Sequence, residues 1–325
     1  MGIRADPDLE IAVRAGLTDV ERVLRDAVRS EFAFVTEASR HLTDAGGKRF
    51  RPMVVLLAAH FADPAAPEVI QAAAAIELTH LSTLYHDDVM DEAPLRRGAA
   101  SANARWTNTV AILVGDYLFA RASEITADLG PEATRILAQT IATLCEGQIR
   151  ETVGPAPGDD PVEHYLRVIT GKTASLIAAS GRLGAMMGGA DPVTADILAT
   201  YGERIGVGFQ LSDDIIDVAS PTADSGKTPG TDLRAGVHTL PVLYALRGRD
   251  AGADRLRELV EGGFGSDAPV AEALEILRGH QGMDEARAQL RAWAASAREC
   301  LAPLPEGSAK TALESLSDFV VARTG

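Results

Sequence analysis

The chain has 325 residues, 46% of them hydrophobic, enough to bury a large core, and no linker or low-complexity run divides it, so residues 1–325 read as a single domain. A formal charge of −15 excludes general binding to nucleic acid or to an anionic membrane surface, both of which need a basic field. Cys145 and Cys300 lack disulfide or metal-ligand spacing and read as buried or incidental thiols, and the longest apolar run, about residues 53–62, is far too short to span a bilayer; a cytoplasmic protein is expected, with at most peripheral membrane contact.

Apolar residues recur at helical spacing nearly everywhere and alternating patterns are scarce, which predicts an all-α protein. The first predicted helix, 8–43, carries no chemistry and stops at Gly46-Gly47. There the stretch Gly46-Gly47-Lys48-Arg49-Phe50-Arg51-Pro52 puts cations beside glycines before a helix over 50–62. A helix over 66–86 runs into Asp87-Asp88-Val89-Met90-Asp91, and Arg96-Arg97-Gly98 follows where that helix ends. Helices over 106–128 and 131–152 show packing patterns only, and 153–161 is irregular. The helix over 162–188 contains Thr170-Gly171-Lys172-Thr173, and that over 192–217 ends in Asp213-Asp214-Ile215-Ile216-Asp217. The irregular stretch 219–240 includes Gly226-Lys227-Thr228-Pro229-Gly230. Helices over 239–247, 252–262, 268–279, 283–302 and 307–323 complete the chain without a readable motif. Gly171, Gly181, Gly184, Gly206 and Gly208 fall inside helical patterns, where each costs about 1 kcal/mol relative to Ala, so close packing or a kink at a cavity is expected there.

On a helix, residues i and i+4 share a face and i+1 points about 100° away, so each acidic motif offers a group of carboxylates. Their mutual repulsion calls for a cation, and a hard divalent ion with oxygen ligands, Mg²⁺ above all, suits Asp87, Asp88, Asp91, Asp213, Asp214 and Asp217. Either motif alone also reads as a solvated acidic helix face. Two of them, flanked by Leu81, Leu84 and Val89 and by Phe209, Leu211 and Ile215, favour the metal site. The chain has only four lysines, and three of them stand in the Gly- and hydroxyl-rich stretches above. Each basic cluster alone reads equally as a solvated charge or helix cap. Set against two acidic motifs, they describe diphosphate groups held between Mg²⁺ and Lys or Arg. His86 adjoins the first Asp pair but is turned about 100° from Asp87, which favours packing or support over ligation.

The stretches GGKRFRP, His80 followed by HDDVMDEAPLRRG, GKT, and FQLSDDIID followed by GKTPGTDL resemble, in order, the motif set of the trans (all-E) isoprenyl diphosphate synthases, or polyprenyl synthetases. The resemblance covers about residues 44–242 and implies the all-helical isoprenoid-synthase fold around a central active-site cavity, usually as a homodimer. It implies a prenyltransferase that condenses isopentenyl diphosphate head-to-tail with an allylic diphosphate through a carbocation, the released pyrophosphate taking the proton. By the same resemblance the six aspartates hold Mg²⁺ on the allylic diphosphate, while Arg96, Lys172 and Lys227 neutralise its remaining oxygens. Lys48, Arg51, His80 and Arg97 match positions that bind isopentenyl diphosphate, and Thr173 and Gln210 match positions whose oxygens face the cation.

One departure concerns Arg234-Ala235-Gly236-Val237-His238-Thr239-Leu240-Pro241, where the family commonly has a lysine at the position of Val237; His238 or Arg234 is left as a candidate substitute. Product length follows from sterics. A prenyl tail running back along the helix that ends in the first motif meets Thr83, Ser82, Thr79 and Ile76, with no aromatic ring four or five residues before Asp87. Ile76 lies about 16 Å down the axis, and alanines 72–75 beyond it let a tail pass, which points to a long product in the heptaprenyl to decaprenyl range. Alanines that serve only close helix packing would leave Ile76 as the floor for a product nearer geranylgeranyl. The competing readings are a class I terpene cyclase, which binds one diphosphate and has a mixed second motif, and a non-catalytic partner subunit, which would have lost motif residues.

Overall fold

A computed structural model of the protein describes residues 6–220 and 229–324. Helices α1 (Pro7–Ala27), α2 (Ala33–Asp44), α3 (Phe50–Ala59) and α4 (Pro67–Met90) lead to a hairpin of β1 (Leu95–Arg96) and β2 (Ala99–Ala100). After the single turn α5 (Ala102–Arg105) come α6 (Asn108–Asp128), α7 (Pro131–Val153), α8 (Pro161–Ile169), a π-turn (Thr170–Ala174), α9 (Ser175–Met187) and α10 (Pro192–Ala219). Beyond α11 (Thr231–Arg234) lie α12 (Leu240–Arg247), α13 (Ala251–Gly262), α14 (Asp267–Gly279), α15 (Gln281–Cys300) and α16 (Ser308–Ala322). The all-α expectation holds.

Local chemistry sets the helix starts. Six helices among the described residues open on a proline in the first turn, which has no N–H to lose there. Asp160 and Asp191 cap α8 and α10, each Oδ1 accepting two backbone N–H groups at 2.8–3.1 Å. The predicted helix 8–43 is broken where no Gly or Pro marks it. Ser30 and Thr36 divert the backbone instead, Phe32 N donating to Ser30 Oγ at 3.2 Å and Ser30 N to Thr36 Oγ1 at 2.9 Å. The predicted helix 162–188 is likewise divided, by the π-turn.

Helix α4 is buried on all sides from Ala72 to Thr79, because α3, α6 and α9 surround it. Helix α10 packs against α9, α15 and α16, and buried apolar side chains from Leu9 to Val320 form one continuous cluster. The mid-helix glycines mark close packing. A Cβ on Gly184 would lie 2.2 Å from the Val55 carbonyl oxygen, and one on Gly181 2.2 Å from that of Leu198, so α9 touches α3 and α10 backbone to backbone. Gly208 is the exception, with ordinary room to its nearest neighbour at 3.6 Å. Cys145 is exposed and Cys300 half-buried, both as free thiols, so of the two alternatives Cys145 is the incidental one. No helix among the described residues is long and apolar enough to cross a membrane.

Candidate active site

Asp87 and Asp88 close α4, and Asp91 is its C-cap. The two neighbours diverge as the 100° step requires. Asp88 is fully buried; its Oδ1 accepts from Arg96 Nε at 2.6 Å, and its Oδ2 is buried with no partner. Arg96 also reaches Asp91 at 3.8 Å. Asp87 faces the opposite way, where burial raises its pKa to about 6, with Lys172 opposing the rise and Asp91 adding to it. His86 takes the supporting role: its Nε2 lies 3.2 Å from Ile112 O and 3.3 Å from Asp116 Oδ1, against Gly115 of α6.

At the end of α10, Asp214 is buried and accepts hydrogen bonds from the Tyr165 hydroxyl and, at 2.8 Å, from Gln210 Nε2. Burial, with Asp232 nearby, pushes its pKa up to about 8. Asp213 accepts from Arg323, whose guanidinium lies 4.9 Å over the Phe209 ring. Asp217 accepts backbone N–H groups of Thr231 and Asp232, both at 3.2 Å, and so starts α11.

The π-turn stands between these two acidic helix ends. Thr173 Oγ1 donates to Gln210 Oε1 at 3.2 Å, while Lys172 pairs with Glu151 of α7 and acts electrostatically on Asp87. A Cβ on Gly147 would meet Lys172 N at 2.4 Å, so two glycines, Gly147 and Gly171, let α7 press directly on the turn. A π-turn inserts an extra residue into a helix and is frequent at functional sites. Here it re-aims Lys172 and Thr173 toward different partners.

No group of three or more His, Cys, Asp or Glu side chains forms a ready metal cage among the described residues. The reason is visible in the partners: Arg96 holds Asp88, Arg323 holds Asp213, and backbone amides hold Asp217. The donor set nevertheless suits a hard divalent cation. The buried Asp88 Oδ2 has no hydrogen bond, and Asp87 and Asp214 are desolvated carboxyls with raised pKa values, groups short of positive charge.

A second charged site adjoins the first through the stacked rings of Phe50 and Phe209, 4.7 Å apart. Arg51 has a buried Nε without an acceptor. Arg97 donates to the carbonyls of Leu42 (3.0 Å) and Gly46, holding the glycine loop that carries the exposed Lys48. His80 sits among Arg51, Arg97 and Arg49, and burial together with these cations lowers its pKa well below the usual range, so it is neutral. The structure thus brings Arg51, His80 and Arg97 together, while Arg96 turns to the first acidic motif.

Lys227 lies outside the described residues. Arg234 donates to Pro229 O at 2.6 Å and to Asp267 at 2.8 Å, and burial lowers the His238 pKa. Ile76, Thr79 and Ser82 are buried on α4, and Thr83 is half-buried. Two cavities, of about 500 and 320 Å³, lie away from both acidic motifs, one between α7, α9 and α10 and one where α4 starts beside the end of α6. Sequence reasoning missed Glu151, Tyr165, Arg323, Arg49 and Glu77. Glu77 had a signal, a lone acid amid the apolar run 69–81, and Arg49 stood inside the basic stretch 46–52 without a role of its own; the other three contact the site from distant segments and had none.

A family model described as polyprenyl synthetase matches residues 33–277. The chain is 50% identical over 315 residues to a nonaprenyl diphosphate synthase of Mycobacterium tuberculosis, covering 97% of this chain and 94% of the relative. It is 44% identical to a dimethylallyltranstransferase of the same organism, covering 97% and 96%. Among solved structures, geranylgeranyl pyrophosphate synthase from Corynebacterium glutamicum, complexed with calcium and isoprenyl diphosphate, superposes with a TM-score of 0.89 at 45% identity, covering 99% of this chain and 100% of that one.

Proposed function

The chain belongs to the polyprenyl synthetase family, and on that premise we propose that it condenses isopentenyl diphosphate with an allylic diphosphate to give a long all-E polyprenyl diphosphate. The observation that carries this reading is the presence of two distinct anion sites side by side, one acidic and suited to a metal-bridged diphosphate, one built of arginines.

The allylic diphosphate lies between the ends of α4 and α10, where Asp87, Asp88, Asp91, Asp213, Asp214 and Asp217 would hold Mg²⁺. When bound, the metal supplies the positive charge that lets the diphosphate leave. Lys172, already poised beside Asp87, neutralises a further oxygen, with Arg96 and Lys227 as its partners. Thr173 and Gln210, fixed to each other and to Asp214, present oxygens toward the carbocation. Lys48, Arg51, His80 and Arg97 hold the isopentenyl diphosphate. The neutral imidazole of His80 donates a hydrogen bond without adding charge to a cluster of arginines.

A long product is supported by the small side chains of Ser82, Thr83 and Thr79 below Asp87 and by the 50%-identical nonaprenyl synthase. The whole chain acts as one domain around its continuous core, in the cytoplasm. A homodimer is supported by exposed apolar side chains on two helices, Ile112, Leu113 and Phe119 of α6 and Ile149 and Val153 of α7.

The test is incubation of the purified chain with Mg²⁺, each allylic primer and labelled isopentenyl diphosphate, followed by chromatography. Elongated all-E products are expected. Turnover of the allylic diphosphate alone would instead identify a cyclase, and an inert chain a partner subunit.

A further inference from the structure

Glu77 lies ten residues before Asp87 on α4, is 2% exposed, and is the acid on which the arginines of the second site converge. Arg49 Nη1 donates to its Oε1 at 2.8 Å, and Arg97 Nη2 approaches the same oxygen at 3.8 Å. Arg51 also feels its charge. Arg49 in turn has each of its three side-chain nitrogens engaged: Nε on Glu21 at 2.5 Å, Nη2 on the Thr43 carbonyl at 2.9 Å, Nη1 on Glu77. Its backbone is left-handed, with φ at 47°, a conformation a non-glycine residue keeps only where its surroundings hold it. With every nitrogen of Arg49 already bonded inside the protein, Arg51, whose buried Nε has no partner, is the better-placed donor for a substrate.

We propose that Glu77 is a positioning residue for the isopentenyl diphosphate: it binds no substrate but is the template that keeps Arg97 and Arg51 aimed at the same anion, with Arg49 as its clamp on the glycine loop. Three guanidinium groups in a buried volume repel one another, and an anion site needs them convergent before the anion arrives. One buried carboxylate beneath them offsets that repulsion while leaving the cluster net positive. The loop follows, because Arg97 and Arg49 between them grip the carbonyls of Leu42, Thr43 and Gly46.

The inference rests on the synthase reading above and makes a prediction of unexpected sign. A carboxylate acting through its charge alone would weaken diphosphate binding, so Glu77→Gln would tighten it. A template does the reverse. Glu77→Gln is expected to raise the KM for isopentenyl diphosphate at least tenfold while the KM for the allylic diphosphate moves less than twofold, with Glu77→Asp intermediate. Calorimetric titration of isopentenyl diphosphate in EDTA, without allylic substrate, is expected to show the same loss. An unchanged or lower KM, or an equal rise in both, overturns the proposal while the function stands, whereas a wild-type chain that performs no condensation removes the function itself. If circular dichroism shows Glu77→Gln unfolded, Arg49→Lys keeps the charge but loses the fork; it is expected to raise the isopentenyl diphosphate KM about fivefold, and no change there is equally fatal.

Discussion

Asp214→Asn separates stability from function in a way the structure makes quantitative. The Asp214 carboxyl is buried and ionises only near pH 8, against an ordinary value of 3.8. A carboxyl with a raised folded-state pKa contributes stability that is complete below its unfolded pKa and is lost as pH rises through the folded one, at about 1.4 kcal/mol per unit. Between pH 3.8 and about 8 the ceiling on that loss is about 6 kcal/mol. Asn at 214 is neutral throughout and does not titrate. Urea unfolding of both proteins in EDTA at pH 5, 6, 7 and 8 is therefore expected to show the variant gaining on wild type by several kcal/mol across the series. Mg²⁺ with pyrophosphate is expected to close the gap, since the ionised carboxylate then has a counterion, while the variant loses most activity. Parallel stability profiles for the two proteins would refute the assignment of Asp214 as a desolvated acid awaiting a cation.

Val237→Lys adds a cation at position 237, and is expected to lower the KM for the allylic diphosphate on the order of fivefold, the equivalent of about 1 kcal/mol; unchanged kinetic constants would show the charge to be balanced already. Ser82→Phe puts a ring on the second turn before Asp87 and is expected to shorten the product to the farnesyl or geranylgeranyl range, read by chromatography, an unchanged length defeating the tail's path along α4. Gly147→Ala forces a methyl to within 2.4 Å of Lys172 N and is expected to lower kcat by tenfold or more, an overpacking of about 1–3 kcal/mol, whereas Gly208→Ala, with 3.6 Å of room, is expected to leave it intact. Ile149→Glu on the exposed face of α7 is expected to shift gel-filtration elution from dimer to monomer, and an unmoved peak would place the subunit interface elsewhere.

Much of this was legible because it is local. The helix starts at Pro161 and Pro192, the acidic motifs and the cations near Gly46 and Gly171 each announce themselves within a few residues. What escaped is what distance in the chain conceals. Arg323 reaches Asp213 across 110 positions, and Tyr165 reaches Asp214 across 49. The spacing of the motifs implied grouped carboxylates, and the structure disperses them, because each neighbouring acid finds its own protein partner. The break after α1 was invisible for another reason: serine and threonine hydroxyls end a helix without the glycine or proline that pattern reading looks for.

The hairpin after α4 has only two residues at its tip, Arg97 with φ at 53° and Gly98 with φ at 77°, the mirror-image turn that fits the natural twist of paired strands. Arg96 ends the strand and Arg97 begins the turn, and the two arginines go to different partners: Arg96 grips Asp88, and Arg97 the loop of Gly46. One two-residue turn thus ties the buried end of α4 to the backbone of the Gly46 loop, so a substitution that distorts the turn is expected to disturb both places at once.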